Sequence, residues 1–268
     1  MITFTKAHAY GNDFLYVPAS ELAGADLAAW ARRLCDRHRG VGADGLILYT
    51  LTDRGATMKL LNADGSPSEL SGNGLRGLAA IVARGWQRAG RLQDRDMLVE
   101  TTAGPKRLVL EEVSTASYLF AAEMGQPTDI IQQQLDVLGE SFAVTVLKVG
   151  NPQCVVLGPL PDDARFVRLG PALEHHPAFP DRTNVEFAVV EAPDRVRIRI
   201  WERGVGPTES SGTGSCAAAV AAAVHGGALR DVEVIAPGGT QRVTWTDSGI
   251  TLTGWAEILA DGTFCAEL

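Results

Sequence analysis

The same order of signals runs twice through this chain. Two Ser-Gly-x-Gly turns, Ser71-Gly72-Asn73-Gly74 and Ser211-Gly212-Thr213-Gly214, each open a run of small apolar residues, 75–83 in one case and 215–224 in the other. Gly11-Asn12 precedes the first turn by about the distance at which Gly150-Asn151 precedes the second, and each Gly-Asn leads into an apolar strand. Asp44 and Asn184 stand at equal intervals before Ser71 and Ser211, as do Asn62 and Glu202. Downstream, Thr102-Ala103-Gly104-Pro105 mirrors Ala236-Pro237-Gly238-Gly239 at the end of an apolar strand. Repetition of this kind implies duplicated units. The expected division is 1–114, joined by a terminal strand over 259–268, and 115–258.

The two runs after the turns are apolar on nearly every face, and a helix apolar all round is a buried helix. Runs rich in β-branched residues at 46–49, 97–100, 144–149, 187–190, 196–201, 232–235 and 241–246 read as strands. The economical fold is α+β, with two pseudo-symmetric domains. Each is a curved, largely antiparallel sheet wrapped around a central apolar helix whose small side chains let the strands approach.

Composition removes several classes of function. With 46% hydrophobic and 21% charged residues the chain has a globular balance, and its net charge of −8, with no Lys/Arg cluster, argues against nucleic acid as a partner. No leader-like segment and no membrane-length apolar run is present, so the cytoplasm is the expected location. Cys35, Cys154, Cys216 and Cys265 form no C-x-x-C pair and read as buried reduced thiols, with no metal site or disulfide framework expected. The histidines, including the adjacent His175-His176, read as surface residues.

A glycine-rich turn that opens a helix presents unpaired N–H groups and the positive end of the helix dipole, which together suit a carboxylate or phosphate. Both turns satisfy G-x-G-x-x-G/A, which raises a dinucleotide fold, but the polar segment 62–69 that leads into the first is no buried strand. Plain glycine caps on buried helices are the other reading. The pairing favours a ligand site: two helix starts on one cleft would hold a carboxylate, with Ser71 and Ser211 flanking the adjacent carbon. That is the geometry for removing a proton from one face and returning one to the other.

Gly11-Asn12-Asp13-Phe14, Arg39-Gly40-Val41-Gly42-Ala43-Asp44-Gly45, Asn62-Ala63-Asp64-Gly65-Ser66, Gly72-Asn73-Gly74-Leu75-Arg76, Gly150-Asn151-Pro152 and Glu202-Arg203-Gly204-Val205-Gly206 resemble, in order, the motifs of the diaminopimelate epimerases. The resemblance covers the whole chain. It implies interconversion of L,L- and meso-diaminopimelate by a two-base 1,1-proton transfer for lysine and peptidoglycan synthesis, with no pyridoxal phosphate or other cofactor, by a cytoplasmic homodimer. It places the reacting carboxylate on the N–H groups of Gly72, Asn73, Gly212 and Thr213. The distal amino-acid head falls to Asn12, Asn62, Asn151, Asn184, Glu202 and Arg203, a set able to pair a carboxylate bidentately and to read an amine.

The family's acid/base cysteines map onto Ser71 and Ser211. A serine hydroxyl is several pK units less acidic than a thiol at roughly 8.5, so it supplies little anionic base at neutral pH and turnover should fall severely. Gln153 stands where the Gly-Asn-Pro motif usually continues with His, and an amide cannot carry a proton. Three readings of the double serine stand open: an inactivated epimerase, a related dehydratase, racemase or double-bond isomerase acting on another amino or hydroxy acid, and a non-catalytic amino-acid-binding homologue. A serine hydrolase needs a His base and a nucleophile elbow, and neither serine lies in that context.

Overall fold

The computed structural model describes residues 1–265 other than Glu69 and Leu92. Residues 266–268 of the strand expected over 259–268 lie outside the described residues. The chain separates into two compact units, Met1–Ala122 with Gly254–Leu268, and Glu123–Thr253.

In the first unit β1 (Ile2–Ala9) and β2 (Asn12–Pro18) form a hairpin, and α1 (Leu27–Cys35) carries the chain to β3 (Gly45–Thr52), which lies parallel to β2. β4 (Gly55–Asn62) returns antiparallel to β3, and the short β5 (Pro67–Ser68) pairs with the end of β4. Helix α2 (Gly72–Arg88) follows, then β6 (Asp96–Thr101) parallel to β4, β7 (Gly104–Val113) and β8 (Ser117–Gly125).

The second unit repeats this plan after β9 (Thr128–Val137). β10 (Glu140–Val149) and β11 (Asn151–Leu157) form the hairpin, and α3 (Asp163–Glu174) leads to β12 (Asn184–Ala192), parallel to β11. Next come β13 (Arg195–Glu202), the short β14 (Gly206–Thr208), α4 (Gly212–His225), β15 (Asp231–Ala236) parallel to β13, and β16 (Gly239–Thr246). β17 (Gly249–Phe264) pairs with β16 at its start and with β1 at its end. The fold is α+β with mostly antiparallel sheet.

Each sheet packs one face on its long helix and the other on its short one. α4 is buried from Gly214 to Ala222 against Val155, Ala188, Ile198, Ile200, Val234 and Val243, while Cys154, Val185 and Phe187, on the opposite face, meet Phe166 and Leu169 of α3. Both long helices begin at the glycine after the serine and outrun the expected 75–83 and 215–224. α1 and α3, capped by Asp26 and Asp162, carry too few residues for their periodicity to stand out in the sequence. Among the described residues no helix is long and apolar enough to cross a membrane.

Two expectations need correction. Cys265 is exposed, because β17 ends at Phe264 and leaves it beyond the sheet; the other three cysteines are buried. His8 is half-buried, edge-on to Trp255 and 3.3 Å from the Glu257 carboxylate, because β1 brings it beside β17.

The glycines of α2 have distinct reasons. A Cβ on Gly77 would stand 2.0 Å from the hydroxyl of Tyr16, a fully buried side chain whose O–H donates to Gly74 O at 2.9 Å. A Cβ on Gly85 would meet nothing within 4 Å. Gly77→Ala should therefore cost about 1–3 kcal/mol through overpacking, whereas Gly85→Ala should gain about 0.5–1 kcal/mol from helix propensity. Urea unfolding of the two variants checks both signs.

Candidate active site

Each serine is the N-cap of its helix. Ser71, extended at φ −126° and ψ 123°, accepts a hydrogen bond from Gly74 N–H at 3.1 Å, and Ser211, at φ −138° and ψ 125°, accepts one from Gly214 N–H at the same distance. The first helical bonds run from Leu75 N–H to Ser71 O and from Ser215 N–H to Ser211 O. The N–H groups of Gly72, Asn73, Gly212 and Thr213 precede those bonds, so no carbonyl of their own helix is available to them. Each helix start thus offers two donors and the dipole's positive end beside a serine hydroxyl whose oxygen accepts the cap bond; Ser211 Oγ also lies 3.5 Å from Thr213 Oγ1.

In the first unit the polar residues are tied to that helix start. Asn12 follows Tyr10 and Gly11, both at positive φ, in the turn between β1 and β2. It donates to Asp44 Oδ2 at 2.8 Å and accepts from the Asn73 side chain at 3.5 Å, and Asn73 Oδ1 accepts from the buried Arg76 guanidinium at 2.7 Å. Burial opposes ionisation of Asp13, but Arg37 and Lys6, at 2.8 and 2.9 Å, hold its carboxyl below the usual range. Arg37 bridges on to Asp44 at 2.9 Å and fixes the residue that orients Asn12. Asn62 ends β4 opposite Gly45 and donates to Ser66 Oγ at 2.9 Å. Asn12, Asn62 and Asn73 are therefore gathered around Asp44 and the start of α2.

The second unit gathers its own set. Asn151 opens β11 and accepts from the Gln153 amide at 2.6 Å. Asn184 donates to Pro152 O at 3.2 Å and accepts from Arg203 N–H at 2.9 Å, so it ties the start of β11 to the Glu202-Arg203-Gly204 turn. The Glu202-Arg203-Gly204 turn has a second anchor: Glu174 accepts from Trp201 Nε1 at 2.8 Å and from Gly204 N–H at 2.9 Å. Burial would raise the Glu174 carboxyl, but these two bonds more than offset it and keep it ionised below its ordinary range. Arg203 donates to Asp181 O at 3.0 Å, which leaves donors for a ligand carboxylate. Burial pushes the half-buried Glu202 carboxyl up.

One group at this site escaped the reading of the sequence. Glu186 has no solvent exposure, and neither of its carboxyl oxygens has a hydrogen-bond partner among the described residues. Alternation along β12 puts Asn184, Glu186 and Ala188 on the face toward α4. The signal was available, because Glu186 shares its face with the apolar Ala188 and not with a solvated row. Burial, and then the nearby Glu202, raise its pKa well above the ordinary value.

The profile of the family described as Diaminopimelate epimerase matches residues 4–130 and 145–259. The chain belongs to the diaminopimelate epimerase family. The diaminopimelate epimerase of Desulforudis audaxviator is 42% identical, covering 97% of this chain and 98% of that protein, and that of Desulfitobacterium hafniense is 37% identical with 96% of each covered. Solved structures share the fold at lower identity. A predicted epimerase from Pseudomonas aeruginosa superposes with a TM-score of 0.71 at 16% identity over 100% of both chains. A probable proline racemase from Agrobacterium radiobacter gives 0.67 at 15%, covering 100% of this chain and 94% of that one. This member of the epimerase family carries serine caps at both helix starts.

Two stability measurements follow. Ser71→Ala removes a cap and should cost about 1 kcal/mol in urea unfolding. Glu186 keeps its proton when folded but loses it near pH ~4.3 when unfolded, so its stabilising contribution is complete below that pH and is lost as pH rises toward the folded pKa. Glu186→Gln cannot ionise, so its urea midpoint should gain on that of the unmutated protein steadily from about pH 4 upward. A constant gap between the two would contradict the buried, unpaired carboxyl.

Proposed function

We propose that this chain is a cofactor-independent isomerase of the epimerase class, a diaminopimelate epimerase whose two proton-transfer positions are Ser71 and Ser211 and whose turnover is strongly reduced by them. It acts on a free amino acid in the cytoplasm, as a homodimer, and not on nucleic acid or at a membrane. Full-length kinship with relatives named diaminopimelate epimerase is the observation that carries the reading.

In this proposal the carboxylate at the reacting centre sits on the N–H groups of Gly72, Asn73, Gly212 and Thr213, where the two dipoles stabilise the negative charge that develops as the α-proton leaves. Asn12, Asn62, Asn151, Asn184, Glu202 and Arg203 take the distal amino-acid head, with Arg203 pairing its carboxylate and Glu202 its ammonium. The two serine side chains flank the α-carbon. Abstraction of a weakly acidic proton calls for an anionic base, and a serine hydroxyl whose lone pair is already committed to a cap is a poor one. Binding is retained and proton removal becomes the slow step.

The test is deuterium incorporation from D2O into the α-carbon of L,L-diaminopimelate, run on this chain and on the Ser71→Cys/Ser211→Cys variant. Exchange in the variant should exceed that of the unmutated protein by roughly 10²–10⁴-fold, the contribution of a positioned acid or base. Absence of exchange from both folded proteins would remove diaminopimelate as the substrate.

A further inference from the structure

The two helix starts are alike in backbone and unlike in what lies beneath them. A Cβ placed on Gly214 would stand 2.7 Å from Glu186 Oε1 and 3.2 Å from Ser211 Oγ, so carboxyl and hydroxyl converge on one point in the first turn of α4. The same construction on Gly74 meets Ile47 Cδ1 at 2.7 Å, Ser71 Cβ at 3.4 Å and Phe14 Cε2 at 3.5 Å. One serine is backed by a carboxyl group and the other by hydrocarbon.

The surroundings of Glu186 suit a proton carrier. Gln153, fully buried on the neighbouring strand and the same face, spends its N–H on Asn151 and leaves its carbonyl oxygen without a partner. Ser210 Oγ and Ser215 Oγ, on either side of the turn, are also buried without partners among the described residues. The charged or titratable groups acting on Glu186 are few. β13 contributes Glu202, β11 contributes the thiol of Cys154 from the opposite face, and α4 carries the buried thiol of Cys216 and no charged side chain before His225. An isolated buried carboxylate would cost far more here than a carboxylic acid.

We propose that Glu186 is the proton reservoir of the second half-site, a buried carboxylic acid that acts through the Ser211 hydroxyl and makes this side of the site the proton-donating one. The inference rests on the isomerase reading above for its substrate. In the step, the carbanion's electron pair takes the hydroxyl proton of Ser211 to form the new C–H bond. The Glu186 O–H breaks as its proton passes to Ser211 Oγ, directly after a side-chain rotation or across one bridging water. Hydroxyl and C–H are complete and the negative charge has moved from substrate to Glu186, where the positive end of the α4 dipole stabilises it. Glu186 regains its proton from solvent once the product has left. Glu186 touches no substrate and is a positioning residue.

The experiment is a carbon-13 titration of the glutamate side-chain carboxyls in the full chain and in Ser211→Ala, with the Glu186 signal assigned from Glu186→Gln or, should that variant not fold, Glu186→Asp. Glu186 should titrate above every exposed glutamate, and Ser211→Ala should move it higher still, because the ionised form loses the hydroxyl that could turn to donate to it. In the Ser71→Cys chain, where the opposite face regains a base, α-deuterium exchange should fall as pH rises through that midpoint, and Glu186→Gln should lower it about a hundredfold. A Glu186 midpoint in the ordinary range, or one that Ser211→Ala leaves unmoved, overturns the proposal whatever the substrate is. Loss of exchange from every variant with the titration intact overturns the diaminopimelate assignment instead.

Discussion

Ser71 and Ser211 each accept a hydrogen bond from an amide three residues along, and in doing so fix where a buried helix begins. That bond settles the geometry around it. It turns the next two N–H groups outward as free donors, sets the serine hydroxyl beside them, and aims the helix dipole at whatever those donors hold. Packing needs small residues to continue from that point. Gly74 and Gly77 admit Ile47 and the Tyr16 hydroxyl to the axis of α2, and the alanines of α4 let strands from β10 to β16 close around it. The arrangement that packs the core therefore also leaves donors at its end.

Duplication supplies the backbone twice, but the side chains have diverged. In the first unit the residues that orient Asn12 and Asn73 are ion pairs and a buried guanidinium, a rigid and fully charged support. In the second the support is built from carboxyl and amide groups, with Glu174 bracing the Glu202-Arg203-Gly204 turn and Glu186 beneath the helix start. In the first support Arg37 and Lys6 hold the Asp13 carboxyl below the usual range, whereas in the second burial pushes the Glu186 and Glu202 carboxyls up. A symmetric backbone thus carries an asymmetric distribution of mobile protons.

Much of this was legible in the residues. The repeat, the α+β class, the two central helices and the motifs around Asn12, Asn62, Asn151 and Glu202 follow from spacing, small-residue runs and turn chemistry, which are local. The flanking helices α1 and α3 were not visible, because nine and twelve residues give only a short apolar stripe. Glu174 and Glu186 were missed for a different reason. Their importance lies in long-range partners or the lack of them: Glu174 meets Trp201 and Gly204 across the unit, and Glu186 meets no hydrogen-bond donor among the described residues. Alternation with Ala188 marks Glu186 as inward-facing, but its vicinity to Ser211 required the register of β12 against β13 and the position of α4.

Under the proposed function the two helix starts together, and not either one alone, receive a single ligand carboxylate. Backbone amide NMR during titration with L,L-diaminopimelate tests it most directly, because the method follows each donor separately and needs no turnover from the serines. The amide signals of Gly72, Asn73, Gly212 and Thr213 should all shift downfield and saturate along one binding curve. Movement of one pair with the other unchanged, or two curves of different midpoint, would contradict it.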